Sequence, residues 1–234
     1  MSLITVVRDV CAVVGVAAPV SVIAAIGSNR TMFEMLACAN EMAQRIGYDT
    51  RDWTMLRATA TFIGDGVTTA FSLPANYKRM LLTANVWRST STQQPMVFVS
   101  DTDEWMQRRA AVESDAWGEW TMYGGQIHIW PALAVGVTAS LTYLDKNIIA
   151  LTSGGFGDRF QADTDTFRLD ERLLKLGMTF DWKMKKGSPY AEDMGTYQDA
   201  INNVMGRDKP ARIITIGRLP MQGRVAYSGY VPYP

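Results

Sequence analysis

The hydrophobic period of this chain changes twice, and that change limits the fold more than any single residue does. From Leu3 to about Leu56 apolar residues recur at helical spacing, from about Ala58 to Lys146 they alternate, and from Asp170 to Met205 the helical spacing returns. A period of two inside a helical frame predicts an α+β fold. We expect an antiparallel bundle of about four helices, a small antiparallel β-domain inserted into it, and an extended C-terminal tail. The expected segments are 1–57 with 166–206 for the bundle, 58–146 for the β-rich insertion, 147–165 for a connecting loop and 207–234 for the tail.

Local signals place the elements. Leu3, Val6, Val7, Val10, Val13 and Val14 repeat as one helix face that ends near Gly15. Thr31 with Glu34 reads as a capping box for a helix running to Ile46, with Gly47 as its C-terminal stop. Asp49 or Thr50 would cap a short third helix carrying Trp53 and Leu56. Gly64-Asp65-Gly66 between two alternating runs reads as a hairpin, and Gly124-Gly125 as a second one closed by Pro131. Further strands are expected at Met80–Trp87, Met96–Val99, Trp120–Tyr123, Gln126–Trp130 and Val137–Tyr143, with a short helix over Asp101–Val112. Asp170 caps a helix from Glu171 to Lys186, and Tyr190 to Met205 forms the last.

Charge enters next, because it excludes function classes. Lys and Arg total 23, as do Asp and Glu, so the net charge is zero. A protein that coats nucleic acid should be clearly basic. Two cysteines and one histidine exclude a disulfide scaffold, a Cys-rich zinc module and any mechanism needing paired histidines. The twenty residues from Val10 to Asn29 carry no charge, which invites a membrane or signal-peptide reading. Against it stand the missing basic n-region and the interruptions at Gly15, Pro19, Ser21 and Gly27, so a soluble helix followed by an apolar loop is expected.

No constellation makes a catalytic case. Gly154-Gly155-Phe156-Gly157 lacks the Lys-Ser/Thr of a phosphate loop and reads as a hinge. Asp163 and Asp165, like Asp101 and Asp103, lack the other ligands of a calcium loop and read as solvated acids. His128 stands between Ile127 and Ile129 on a strand and so faces away from both; Cys11 and Cys38 read as small core residues. We therefore expect no enzyme, no cofactor and no metal. Trp87, Trp105, Trp117, Trp120 and Trp130 crowd the β-rich part, where aromatics either fill a thin core or stack on sugars. The second possibility makes a carbohydrate-binding tail component, contacting host polysaccharide, the alternative function.

The helix from Glu171 carries two apolar stripes. Leu169, Leu173, Leu176, Phe180 and Met184 form one, and Leu174, Met178 and Trp182 the other, with Lys183, Lys185 and Lys186 in the last turn. A surface helix needs one stripe, so this one is either buried centrally or meets another subunit. The C-terminal segment carries Arg207, Lys209, Arg212, Arg218 and Arg224 against one acid, Asp208, together with Ile214, Ile216, Tyr227, Tyr230 and Tyr233. So many apolar groups exceed what a linker needs and predict ordering against a partner.

The order of several short motifs resembles the head-to-tail adaptor (connector) proteins of tailed bacteriophages, the short-tailed ones in particular. They are Met35-Leu36 to Ala43, Asp52-Trp53-Thr54-Met55-Leu56, Phe71-Ser72-Leu73-Pro74 to Tyr77, Asp170 to Gly177, and Trp182 to Tyr190 with the final helix, covering about Met32 to Arg212 with the strands between loosely matched. The resemblance implies a structural protein of the virion neck, assembled in the host cytoplasm. A ring of about a dozen copies would dock on the portal protein and receive the tail nozzle or fibres. DNA would cross the lumen without specific contact, and no membrane is involved. The second stripe, the three lysines and the tail residues named above are the expected contacts with the portal or a neighbouring subunit.

Overall fold

A computed structural model describes residues 2–82, 84–90, 94–112 and 114–208. The chain is mixed α+β; its described residues form five α-helices and three small, mainly antiparallel sheets. Helix α1 spans Leu3–Val14 and ends as expected at Gly15, whose φ of +76° suits a residue without Cβ. Helix α2 spans Arg30–Gln44. Its cap is Asn29, which accepts the Thr31 amide at 3.0 Å, rather than Thr31 itself. Glu34 is thereby freed to pair with Arg30 and Lys186. A π turn, Arg45–Asp49, continues α2 through Gly47. Gly47 is therefore no left-handed stop; a Cβ there would lie 2.8 Å from Ile148 Cγ2, so close packing demands the glycine. The expected third helix is only a 3-10 turn, Thr54–Leu56.

The strands pair differently from their order in the chain. Strand β1 (Arg57–Ile63) pairs antiparallel with β8 (Thr138–Asp145), not with its neighbour β2 (Ala70–Ser72), which joins β7 (Gln126–Trp130). Gly64-Asp65-Gly66 thus links two sheets instead of turning one hairpin. Gly64 fits because its Cβ would fall 2.5 Å from the carbonyl oxygens of Leu133 and Ala134. The expected strand at Met80–Trp87 breaks into β3 (Tyr77–Met80) and β4 (Trp87–Arg88), both on β8. Gly124-Gly125 does close a hairpin between β6 (Glu119–Tyr123) and β7, and β5 (Val97–Phe98) adds in parallel to β6. Helix α3 covers Thr102–Ala110 with Asp101 as cap.

Residues 147–165, expected to be plain loop, begin a third sheet. Strands β9 (Ile149–Ala150), β10 (Phe156–Gly157) and β11 (Thr166–Phe167) pair in the order β10-β9-β11. Asp163 and Asp165 are not solvated acids either. Asp165 is buried and accepts the amides of Thr152, Gln161 and Ala162. These bonds fold the segment back on itself.

Helix α4 (Glu171–Lys185), capped by Asp170, lies centrally. Helix α5 (Ala191–Arg207) runs antiparallel to it, marked by Lys183–Asp193 at 2.6 Å and by the Phe180 and Tyr197 rings at 5.0 Å. Helix α2 is antiparallel as well, with Cys38 against Asp181 and Lys186 against Glu34. Helix α1 runs in the same direction as α4, since Asp9 meets Lys175 while Leu3 hydrogen-bonds Asp165 near the start of α4. The helices are therefore not all antiparallel. Arg207 is the last residue of α5, not the first of a tail, and Asp208 hydrogen-bonds the Thr54 amide and hydroxyl.

Buried apolar residues form two clusters. The larger joins the helices to Leu56, Leu81, Leu144, Ile148 and Ile149; the smaller lies between the sheets around Phe62, Trp120, Ile127, Ile129 and Leu141. Ion pairs span the seam between them. Arg168 reaches Asp145 at 3.1 Å and the Met55 carbonyl at 3.0 Å, and Arg79 reaches Asp52 at 2.6 Å.

Candidate functional site

The uncharged segment after α1 is the most unusual surface among the described residues. From Val10 to Asn29 only Val10, Cys11 and Val22 are buried, and Val20 is 89% exposed. Two charged side chains hold this apolar stretch by its backbone. Arg8 donates to the carbonyls of Pro19 at 2.9 Å and Val20 at 3.1 Å. Asp163 accepts from the Ser21 hydroxyl at 2.5 Å and from the amides of Val22 and Ile23 at 2.9 and 3.0 Å. With the polar backbone satisfied from behind, the side chains of Ala17, Ala18, Val20 and Ala24 are left to solvent. Ala17, Pro19, Val20, Ala24, Ala25 and Met32 line a groove of about 470 Å³ there.

Hydrogen bonding favours the ionised form of Asp163 and of its neighbour Asp165. Burial alone would raise the Asp163 carboxyl, but Ser21 and the two amides outweigh it, and its pKa lies below the ordinary carboxylate value. Asp165 is lowered in the same way: its amide partners overcome the cost of burial. Asp163 and Arg8 are the residues that sequence reasoning missed as shapers of this surface. Their partners lie 140–142 and 11–12 positions away, so no local motif announces them.

The expected contact residues fall into three groups. Leu174, Met178 and Trp182 are buried inside the chain's own core, packed among α1, α2 and α4 residues. Of the two explanations for the double stripe, central burial holds; Leu174 and Met178 are wholly inside, and Trp182 keeps only an edge on a surface groove. Lys183, Lys185 and Lys186 pair with Asp193, Asp181 and Glu34, and Lys186 also lies 4.7 Å above the Trp182 ring. Lys183 and Lys186, with Trp182, line a groove at the end of α4 against Val13, Val14 and Val16, beside the uncharged segment. Arg207 is exposed at the end of α5. Lys209, Arg212, Ile214, Ile216, Arg218, Arg224, Tyr227, Tyr230 and Tyr233 lie outside the described residues.

The reactive side chains are placed structurally. Cys38 is buried, donates to Asp181 Oδ2 at 3.1 Å, and has its thiol pushed up by burial and by that carboxylate, the opposite of what a nucleophile requires. Burial raises Cys11 too. His128 is buried, stacks on Tyr123 with ring centres 3.8 Å apart, and is held below its ordinary pKa by burial. Among the described residues no three His, Cys, Asp or Glu side chains converge on a metal position. No helix of the described residues is long and apolar enough to cross a membrane. The five tryptophans of the β-rich part do not share one open face. Trp105 and Trp120 are buried, Trp117 and Trp130 half-buried with Arg109 over Trp130, and Trp87 alone is exposed. No protein-family model matches the chain, and no curated protein matches it.

Proposed function

We propose that the chain is a structural head-to-tail adaptor of a tailed bacteriophage, forming a ring of about a dozen copies on the portal protein. The observation that carries this reading is the apolar segment between α1 and α2, held outward by Arg8 and Asp163. Water-exposed apolar surface displayed on satisfied backbone suits a protein that is completed by neighbours. The resemblance of the motif order from Met32 to Arg212 is what points to portal and tail proteins as those neighbours. In this reading α1, α2, α4 and α5 act as a bundle of about four helices carrying the β-rich part as an insertion. Residues 209–234, with four cations and no acid, attach to the portal. The distal side receives the tail nozzle or fibres, and DNA crosses the lumen without specific contact.

The assembled joint draws strength from number. Each contact in a ring is modest, and linked contacts act at high effective concentration. Purified chain mixed with portal rings should add a tier visible by electron microscopy. Removing residues 209–234 should leave a folded protein that adds none. A truncated chain that still decorates portal rings would contradict the assignment of the attachment to that segment, and a full chain that never decorates them would contradict the adaptor reading.

A further inference from the structure

Net charge is zero for the whole chain but not for its parts. Residues 209–234 hold four cations and no acid, and residues 101–119 hold six acids and two arginines; the remainder balances with 17 of each sign. The negative charge that offsets the C-terminal segment thus lies on α3 and the loop leading into β6. Elsewhere, acids such as Asp145, Asp181 and Asp193 each have a cation of their own. Here Arg108 alone serves two carboxylates, Glu104 at 2.5 Å and Glu119 at 2.7 Å. Arg109 is engaged over the Trp130 ring, and Arg88, which lies against Gly118, donates to the Pro131 carbonyl. Asp115 and Glu119, with Arg108, Val112 and Ser114, line a groove of about 570 Å³. Glu119 is 1% exposed, and its Oε2 is buried without a hydrogen-bond partner among the described residues. Leaving a buried carboxylate oxygen without a donor costs free energy, and a further cation in the groove would remove that cost.

We propose that in the free chain residues 209–234 fold back onto this acidic face and bring a cation to Glu119 and Asp115. Charge, side-chain character and reach all favour that occupant. The segment's four positive charges equal the negative excess of residues 101–119. Its Ile213, Ile214, Ile216 and Leu219 have apolar ground to meet, because Val112 in the groove and Val97 and Phe98 on the strand beside Glu119 are exposed. Helix α5 ends at Arg207, and the 26 residues after Asp208 can extend to about 85 Å. A body of this length has a radius of gyration of only about 17 Å, so the face is within reach. Exposed ion pairs are each worth less than about 1 kcal/mol. Attachment to the same chain supplies the effective concentration at which several of them hold together. The fold-back concerns the chain before it meets any partner and so goes beyond the adaptor reading. Where that reading holds, the portal and residues 101–119 compete for one segment.

Intramolecular disulfide trapping in the full chain tests this, because Cys11 and Cys38 are buried and do not compete. Ser114→Cys with Ile216→Cys puts one thiol at the groove and one in the segment. Leu82→Cys with Ile216→Cys is the collision control, since Leu82 is exposed and outside the groove. The closed monomer should form about tenfold faster through Ser114→Cys than through Leu82→Cys. That advantage should vanish in about 1 M salt, where the screening length is about 3 Å. Adding Asp115→Asn, which keeps the side-chain oxygen that accepts the Trp117 amide, should lower it by about two- to fivefold. Equal rates at the two positions overturn the proposal, and so does an advantage unmoved by salt or by Asp115→Asn. Disulfide-linked dimers in place of closed monomer overturn it too, since they would place the segment on a second copy. Portal decoration reads the adaptor proposal separately: a chain that closes on itself but never decorates portal rings contradicts that reading and leaves the fold-back standing.

Discussion

Two stretches of this chain have more apolar residues than one buried face requires, and they end in opposite places. The second stripe of α4, Leu174, Met178 and Trp182, is buried by the chain itself. Of the stretch from Val10 to Asn29 only three residues are buried and half are exposed. The difference lies in how the backbone is satisfied. In α4 the helix bonds its own backbone, and three neighbouring helices can close on every side. After Gly15 the backbone is irregular, and its amides and carbonyls are met from one side by Asp163 and Arg8. Val22 reaches the core and Val16, Ile23 and Ala25 pack against it, while Ala17, Ala18, Val20 and Ala24 are left outside.

That contrast predicts a graded series. Leu174→Ala removes side-chain volume from a fully buried site and should cost about 2–5 kcal/mol in urea unfolding. A cost near zero would mean that the α4 stripe is not core, and the contrast would disappear. Asp165→Ala leaves three amides without their acceptor and should cost roughly 3 kcal/mol. The same acids give a pH signature. Their folded pKa values lie below the unfolded value near ~3.9, so their stabilisation is complete above that pH and fades as pH falls through the lowered folded values. Melting temperature should therefore fall more steeply with acidification below about pH 4 in the wild type than in Asp165→Asn.

Gly64→Ala probes the link between the two sheets. Its Cβ would meet two backbone oxygens at 2.5 Å, which cannot rotate away. Strain of about 1–3 kcal/mol is expected, measured by thermal unfolding. The smallest effect belongs to Val20→Asp. Monomer stability should change by no more than about 0.5 kcal/mol, while addition to portal rings is lost. A large loss of stability there would show that the segment is packed against its own chain after all.

Much of the helical frame was legible in the sequence because α1, α4 and α5 announce themselves locally. Gly15 and Asp170 are end signals that act within one turn. Thr31 and Glu34 misled because Asn29, two residues earlier, is the better-placed acceptor, and Glu34 has stronger partners in Arg30 and Lys186. Strand existence was readable from alternation, but pairing was not. Gly64-Asp65-Gly66 suits a hairpin equally well, and only the distant strand β8 draws β1 away from β2. The candidate surface was half legible. Its lack of charge stands in the sequence, whereas its outward presentation depends on Asp163, whose partners lie 140 positions or more away. The stripe on α4 could not be assigned to core or interface from one helix alone, since the covering helices are set by tertiary packing.

The reaction of Val20→Cys with a small alkylating reagent measures the central claim directly, in the free chain and in the tier formed on portal rings. The free thiol should react at the rate of an open surface cysteine, and assembly should slow it by about tenfold or more, the change expected when a site is occupied most of the time. Equal rates in both states would mean that assembly leaves this apolar segment in water, and the account of it as an assembly surface would be wrong.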